Sequence, residues 1–179
     1  MSLPHAILGF LNQKPMTGYD LKQYFDYSVA HFWPADQAQI YRTLDKLAAD
    51  SLVESEIEFQ EVRPNRKVHS ITEAGRAELA HWLAKPQQLP IHREPFLVQL
   101  FFAEQQTNEA IISQMEQQLD DHHERQRVYD AIPLPPLDDA SASRQHKLAR
   151  LTVELGLRSE RMYIDWLEAS IEVLRGLKE

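Results

Sequence analysis

The sequence has no cysteine, which excludes disulfide bonds, thiolate metal ligands and cysteine nucleophiles. Five glycines and ten prolines are few for an all-β chain, whose tight turns use both residues. No apolar run approaches the ~20 residues of a membrane-spanning helix, and the N-terminal residues lack the basic-then-apolar pattern of a secretory signal. We therefore expect a mainly α-helical, cytoplasmic protein.

Positive charge is also scarce in this chain, which has 19 Lys and Arg against 27 Asp and Glu and a net charge of −8. Residues 1–85 contain nine of these cations and eleven of the anions, so they are not basic overall. Proteins that bind nucleic acid usually present a basic surface. Any DNA contact must therefore come from a small local patch, since affinity depends on the few cations that reach phosphate.

Sequence patterns of catalysis are missing as well. The chain contains no G-x-S-x-G, phosphate-binding loop, dinucleotide-binding glycine pattern or HExxH motif. His122, His123 and Glu124 are adjacent, whereas metal ligands on one helix face lie three or four residues apart. We interpret these three residues as a hydrated helix segment, and we predict neither an enzyme nor a metal or other cofactor.

The sequence up to residue 85 carries start and stop signals for several short elements. Thr17 is followed three residues later by Asp20, a capping box that begins a second helix. Asp36 and Gln39 form the same pattern before a third helix. Ser51 follows this helix at a place where a C-terminal glycine would be usual.

Two short strands are predicted within residues 52–61 and 67–71, joined by a basic turn near Arg63–Arg66. Thr72 then caps a fourth helix. The candidate inward side chains of the strands are Val53, Ile57, Phe59, Val62, Val68 and Ile71. Three helices, a β-ribbon and a fourth helix are the plan of a winged helix-turn-helix, which presents its third helix to a DNA major groove and its wing to the adjacent backbone.

Residues 86–94 contain two prolines and form the predicted linker between a winged-helix DNA-binding domain, 1–85, and a helical domain, 95–179. Two long helices are predicted in the second domain, the last one over about 141–177. Their wide apolar stripes need more cover than so small a domain supplies, so we expect an antiparallel, coiled-coil-like homodimer. The candidate interface residues are Leu148, Leu155, Met162, Trp166 and Val173.

Ten polar or charged residues are candidate DNA contacts. They are Tyr19, Gln37, Gln39, Tyr41, Arg42, Lys46, Arg63, Asn65, Arg66 and Lys67. Arg42 and Lys46 lie one turn apart on the polar face of the third helix, and arginine can bind guanine through two hydrogen bonds. The alternative is a solvated helix face on which Asp45 and Asp50 are their partners. The wing cations would contact phosphate or the minor groove.

Three of these residues have a structural alternative. Gln39 could read adenine, or its amide could serve only the capping box of Asp36. Tyr41 could donate its hydroxyl to a phosphate or pack against the second helix, and Tyr19 is a similar phosphate candidate. Asn65 could simply form the wing turn.

Large aromatic side chains could line a pocket for a planar ligand, or they could pack within the core. The candidates are Trp33, Phe96, Phe101, Phe102, Tyr163 and Trp166.

The chain resembles the PadR-type transcriptional regulators, in the branch whose longer helical C-terminal domain is related to virulence-gene activators. The motifs that carry the resemblance are ILGFL (7–11), TGYDLK (17–22), QIYRTL (39–44), RPNRK (63–67), ITEAG (71–75), REPFL (93–97) and YIDWL (163–167). Two residues depart from the family pattern, since Ser51 replaces a usual glycine and His69 a frequent tyrosine. Both bear on the geometry of the wing.

The resemblance implies a DNA-binding homodimer that recognises a palindromic operator, usually as a repressor. It also implies that a small aromatic or phenolic effector could release the DNA, as in some relatives. The acidity of residues 1–85 leaves a second hypothesis open, in which the winged helix serves only protein–protein interaction.

Overall fold

The structure is a computed structural model that describes residues 2–59 and 65–178. The chain divides into two units, Met1–Leu89 and Pro90–Glu179. The first unit contains α1 (Leu3–Leu11), β1 (Met16–Thr17), α2 (Gly18–Ser28), α3 (Gln37–Ala49), β2 (Val53–Glu58), β3 (Arg66–Ile71) and α4 (Glu73–Ala84). The second contains α5 (Pro95–Phe101), a 3-10 helix (Ala103–Gln105), α6 (Asn108–Asp130) and α7 (Arg144–Gly176). The fold is mainly α-helical with a small sheet, as predicted.

The core of the first unit brings α1, α2 and α3 together. Six apolar side chains in these helices are completely enclosed, and burying each one contributes roughly 1.5–3 kcal/mol. They are Ile7, Leu8, Leu21, Phe25, Ile40 and Leu44. Because α3 buries residues three or four positions apart, it turns one stripe inward and leaves its opposite face exposed.

Both predicted capping boxes are confirmed. The Thr17 hydroxyl accepts a hydrogen bond from the Asp20 amide at 3.1 Å, and the Asp20 carboxylate accepts one from the Thr17 amide at 3.2 Å. Asp36 and Gln39 form the same reciprocal pair at 2.7 and 3.0 Å. These bonds satisfy amides that have no partner within the helix, and they fix where α2 and α3 begin.

Ser51 ends α3 in the left-handed conformation that usually selects glycine, with φ 58°. The Leu52 amide donates to the Leu47 carbonyl at 2.9 Å, and the Ser51 amide donates to the Ala48 carbonyl at 3.0 Å. This pair of bonds is a Schellman motif. The turn therefore keeps the geometry of a glycine C-cap although the residue is serine, at a strain of roughly 1–2 kcal/mol.

The sheet is antiparallel with strand order β1-β3-β2. Both predicted strands of the ribbon are present and pair with each other, and β1 adds a short third strand, not predicted, in which Met16 pairs with His69. Strands β2 and β3, with the described residues next to them, form the wing (residues 53–59 and 65–71). Its predicted tip residue Arg63 lies outside the described residues.

Only the base of the wing is covered by the helices. Val53 and Ile71 pair with each other and are buried, as predicted. Ile57 and Phe59 were wrongly predicted to face a core, since they are 58% and 84% exposed. The buried residue near the middle of β3 is His69, while Val68 is half-buried. The sixth predicted inward residue, Val62, lies outside the described residues.

The second unit consists mainly of α6 packed antiparallel against α7. The Asn108 side chain at the start of α6 donates to the Leu177 carbonyl just beyond α7 at 2.8 Å. Met115, Leu167 and Ile171 form the buried cluster between the helices, against which α5 residues also pack. Among the helices of the described residues, none has a stretch both long and apolar enough to cross a membrane.

Helix α7 has two apolar stripes on opposite sides. The stripe turned toward α6 contains the buried residues Val153, Ile164, Leu167 and Ile171. Four of the five predicted interface residues lie on the other side and are exposed within the protomer, namely Leu148, Leu155, Met162 and Val173. Trp166 is half-buried and packs against the cluster of the second unit. The dimer interface itself stays a prediction.

Candidate nucleic-acid interface

The exposed face of α3 collects most of the predicted contact residues. Gln37, Tyr41, Arg42 and Lys46 all lie on it, as does Asp45. The face is presented outward because the opposite stripe is buried in the core and the capping box fixes the first turn. A rigid helix with exposed amide, hydroxyl and cationic groups has the shape and chemistry needed to enter a major groove.

Gln39 is engaged in the capping box of α3. Its amide oxygen accepts a hydrogen bond from the Asp36 backbone amide at 3.0 Å. The Gln39 side chain therefore serves the capping box, which was the alternative to reading adenine. Tyr41 packs its ring against Gly18, where a β-carbon would come within 2.6 Å of a ring atom, and it nevertheless stays exposed at one edge. Tyr19 is exposed too, and its hydroxyl accepts from the Gln23 amide at 3.0 Å.

Two cations at the start of β3, away from the buried base of the wing, are each matched with a carboxylate of a neighbouring helix. The Arg66 guanidinium lies 3.1 Å from Asp20 of α2, and the Lys67 ammonium lies 4.0 Å from Asp45 of α3. The alternative that Asp45 pairs with Arg42 or Lys46 is wrong for this structure. Within the described ranges, 2–59 and 65–178, neither Arg42 nor Lys46 forms an ion pair.

Asp20 is held in its charged form. Partial burial would raise its pKa, but hydrogen bonds from the hydroxyl and amide of Thr17, together with the positive charge of Arg66, outweigh burial and lower the pKa. This residue was predicted only as a capping residue. Its ion pair with Arg66 joins positions 46 residues apart, and no local sequence pattern predicts such a pair.

His69 lies on β3, the central strand of the sheet, and its side chain is buried. Its Nδ1 is 2.8 Å from the hydroxyl of Ser55 on β2. Burial lowers the pKa of His69, the positive charge of Lys67 lowers it further, and Asp45 partly opposes both. The imidazole is therefore neutral near pH 7, and it belongs to the same small network as the wing cations.

The aromatic residues predicted for an effector pocket occupy different environments. Trp33 belongs to the first unit and is exposed at one edge, whereas the others belong to the second. Phe96 lies edge-on to Trp166 with ring centres 6.4 Å apart, and both pack against the core of that unit. Phe101 is exposed and contacts its neighbour Phe102 edge-on. A cavity of about 490 Å³ in this unit is lined by other residues: Gln126, Asp130, Glu154, Leu157, Arg158 and Arg161.

The interpretation of residues 122–124 as a hydrated segment was wrong for His122. This side chain is buried, and its Nδ1 lies 2.5 Å from the buried Glu160 carboxylate. Its ring also stacks on Tyr163 at 4.5 Å. Burial and the negative charge of Glu94 raise the pKa of Tyr163. In the described part of the chain, no three acidic or histidine side chains converge as a metal site would require.

Comparison with known sequences divides the chain in the same way. Residues 7–81 match the Transcriptional regulator PadR-like family, and residues 92–175 match the Virulence activator alpha C-term family. A probable transcriptional regulator of Mycobacterium tuberculosis is 45% identical over 86 residues, which are 48% of this chain and only 46% of that protein. The negative transcriptional regulator PadR of Bacillus subtilis is 26% identical over 179 residues, covering 96% of this chain and 97% of its own length.

Solved structures show the same architecture over the whole chain. The Vibrio cholerae virulence activator AphA matches with a TM-score of 0.81 and 29% identity, covering 99% of this chain and all of its own. Bacillus subtilis PadR in complex with operator DNA matches with a TM-score of 0.85 and 24% identity, over 97% of this chain and 99% of that one. PadR in complex with p-coumaric acid matches with a TM-score of 0.79, 24% identity and coverage of 98% and 99%.

The first unit and the second unit thus each match a family found in regulators of transcription, and the relatives are regulators rather than enzymes. A winged helix followed by a helical domain is common to this chain and its relatives of known structure. The chain thus contains a PadR-like family domain, residues 7–81, followed by a Virulence activator alpha C-term domain, residues 92–175.

Proposed function

We propose that this protein binds double-stranded DNA as a homodimer and regulates transcription by occupying a palindromic operator. The observation that carries the proposal is the pair of exposed cations on α3, Arg42 and Lys46, beside a wing whose Lys67 reaches the same helix. This arrangement suits α3 in a major groove and the wing on the adjacent backbone. The complex of Bacillus subtilis PadR with operator DNA supports it, since that protein has the same fold.

Within this proposal the ten predicted residues have four kinds of role. Arg42 and Gln37 face base edges, and Arg42 is the best candidate for a guanine. Lys46, Tyr41 and Tyr19 position the helix on phosphate. Arg63, Asn65, Arg66 and Lys67 act from the wing, and Gln39 contributes by setting the first turn of α3.

The second apolar stripe of α7 supports the homodimer. Leu155 and Met162 are 68% and 57% exposed in the protomer, on the side of the helix opposite its buried stripe. A 33-residue helix with two apolar sides needs a second partner, and a copy of the same chain supplies an identical stripe. Two α3 helices held about 34 Å apart by such a dimer would match two successive major grooves.

The sign and control of regulation are inferred from a relative. Bacillus subtilis PadR is a negative regulator and has been crystallised with p-coumaric acid. We therefore propose that this protein is a repressor and that a small aromatic or phenolic ligand releases it from DNA. Phe96, Phe101, Tyr163 and Trp166 of the second unit are the proposed contact residues. A chromosomal repressor of this kind would act in the cytoplasm.

DNA binding is tested with a duplex selected from a random library by the purified full-length protein. Arg42→Ala should weaken binding at least tenfold, because it removes a base contact. Arg66→Ala should weaken binding to all duplexes and flatten the slope of log affinity against log salt by less than one, because Arg66 must leave Asp20 before it binds phosphate. Lys85→Ala is the control, since it removes one exposed cation outside the proposed surface. Failure to select any duplex bound in a salt-sensitive way would contradict the proposal.

That failure would favour a protein–protein role for the winged helix. One observation supports this second candidate, the exposed apolar pair Ile57 and Phe59 on the wing.

The dimer has a separate test. Changing Leu155 and Met162 to glutamate should give monomers by light scattering, whereas Val128→Glu, also an exposed apolar position, should leave the dimer intact.

A further inference from the structure

We propose that Asp45 is a specificity-determining residue, which weakens non-specific DNA binding by competing with phosphate for Lys67. The inference deepens the proposed function and rests on it. Asp45 lies on the exposed face of α3, one residue before Lys46 and three after Arg42, with 76% of its side chain exposed. A carboxylate at this place is unexpected on a surface that must approach a polyanion.

The register of the wing explains why Asp45 meets Lys67. Directly opposed residues of an antiparallel pair place their side chains on the same face. Val53 and Ile71 lie on the face that is turned to the helices, as do Ser55 and His69. Lys67 is two residues further from the core than His69 on this same face, and it therefore points back over α3 toward Asp45.

The residue before Lys67 on β3 points the other way and meets a second carboxylate. Arg66 lies 3.1 Å from Asp20, which is also the capping-box residue of α2. Both of these wing cations are thus matched with acids before any DNA arrives. Asp45 differs from Asp20 because its side chain has no capping role, so it can be changed without disturbing a helix start.

This prior pairing has a consequence for salt dependence. A cation that binds DNA normally gains affinity by releasing a counterion from phosphate. Lys67 must first leave Asp45, whose freed carboxylate then lies near the phosphates and repels them. A complex held by base contacts can leave Lys67 with Asp45, whereas a complex that depends on phosphate contacts alone must break this exposed pair, which is worth at most about 1 kcal/mol. Asp45 therefore widens the ratio between specific and non-specific affinity.

Asp45→Asn separates this role from others. The probes are the library-selected duplex and a scrambled duplex of equal length and composition. We expect affinity for the scrambled duplex to rise about three- to tenfold, affinity for the selected duplex to rise less, and the salt slope on scrambled DNA to steepen by about 0.9. Asp50→Asn is the matched control, because it removes the same charge from an exposed position at the end of the same helix. Thermal unfolding checks that both variants fold.

A double-mutant cycle with Lys67→Gln tests the pairing itself. If Asp45 acts through Lys67, Asp45→Asn should have little effect in the Lys67→Gln background. Equal gains from Asp45→Asn and Asp50→Asn on both duplexes would overturn the inference, since only total charge would matter. A loss confined to the selected duplex would also overturn it, because Asp45 would then be reading a base. Failure of the unaltered protein to bind any duplex would instead refute the proposed function.

Discussion

The ring of Tyr41 on α3 lies directly against Gly18 at the start of α2. A β-carbon at residue 18 would come within 2.6 and 2.7 Å of two ring carbons and 3.1 Å of the hydroxyl oxygen. Glycine at this position therefore allows the Tyr41 ring of α3 to approach the start of α2 closely. The contact also keeps the tyrosine hydroxyl near the face that we propose for DNA.

Gly18→Ala should displace Tyr41 at small cost to stability. The clash falls on the far end of a side chain that can rotate, so we expect the free energy of unfolding to fall by no more than about 1–2 kcal/mol. Affinity for the selected duplex should fall to that of Tyr41→Ala, and the double variant should be no worse than either single one. Losses of affinity that add in the double variant would show that the two residues act independently.

Gly75 should tolerate no side chain, in contrast to Gly18. A β-carbon at residue 75 would lie 2.2 Å from the backbone oxygen of Leu52, which cannot rotate away. The same junction is held by the Thr72 hydroxyl, which accepts from the Gly75 amide at 3.0 Å and donates to the Ser51 carbonyl at 2.8 Å. Gly75→Ala should therefore destabilise the first unit by about 2–3 kcal/mol, measured by chemical denaturation.

Gly9→Ala is the matched control for this prediction. Gly9 lies inside α1, and a β-carbon there meets no atom within 4 Å. Alanine should therefore stabilise the protein by up to about 1 kcal/mol through its higher helix propensity. Equal effects at the two glycines would refute the argument from the Leu52 contact.

The His122–Glu160 pair should be critical to the second unit. Both side chains are buried, and Glu160 also lies 3.4 Å from Arg125. Removing one partner leaves a buried polar group without its complement, so Glu160→Ala should cost about 3–5 kcal/mol in unfolding free energy. Combining His122→Leu with Glu160→Met should recover most of that loss, because two apolar side chains then pack together. A double variant as unstable as Glu160→Ala would contradict this account.

Features encoded within a few residues were predictable from the sequence. The capping boxes at Thr17 and Asp36 each depend on two side chains three positions apart. The helix periodicity of α3 depends on three buried side chains, Ile40, Leu44 and Leu47. The strained turn at Ser51 was visible as a serine in a place that favours glycine. These local signals, taken in order, were sufficient for the winged-helix architecture.

Features that join distant residues could not be predicted in the same way. His122 and Glu160 are 38 positions apart, on α6 and α7. The sequence around His122 predicts a hydrated helix segment because the burial of His122 depends on α7 packing against α6. Ile57 follows the alternation of a buried strand, yet the wing extends beyond the helices that would cover it. The sequence pattern places Asp45 on α3 but does not predict its ion pair with Lys67, because that pair depends on how the wing folds back over the helix.

His69 should make the stability of the first unit depend on pH. Because its pKa is lowered in the fold, the unfolded chain binds a proton more readily than the folded one. The stabilisation is fully present above the ordinary histidine pKa, about 6.5, and is lost as pH falls below it. His31, whose pKa burial also lowers, adds a loss of the same sign.

The full chain should therefore unfold at a lower temperature at pH 5.5 than at pH 7.5. The His69→Gln variant should be less stable at pH 7.5, because it disturbs a buried site bonded to Ser55, but its stability should change less between the two pH values. His31→Gln should retain the His69 contribution and serves as the control. Parallel pH profiles for the unaltered protein and His69→Gln would show that another group is responsible. Carboxylates with a lowered pKa, such as Asp20, stabilise the fold until the pH falls below the ordinary carboxyl pKa. The change between pH 7.5 and pH 5.5 therefore reports on the histidines.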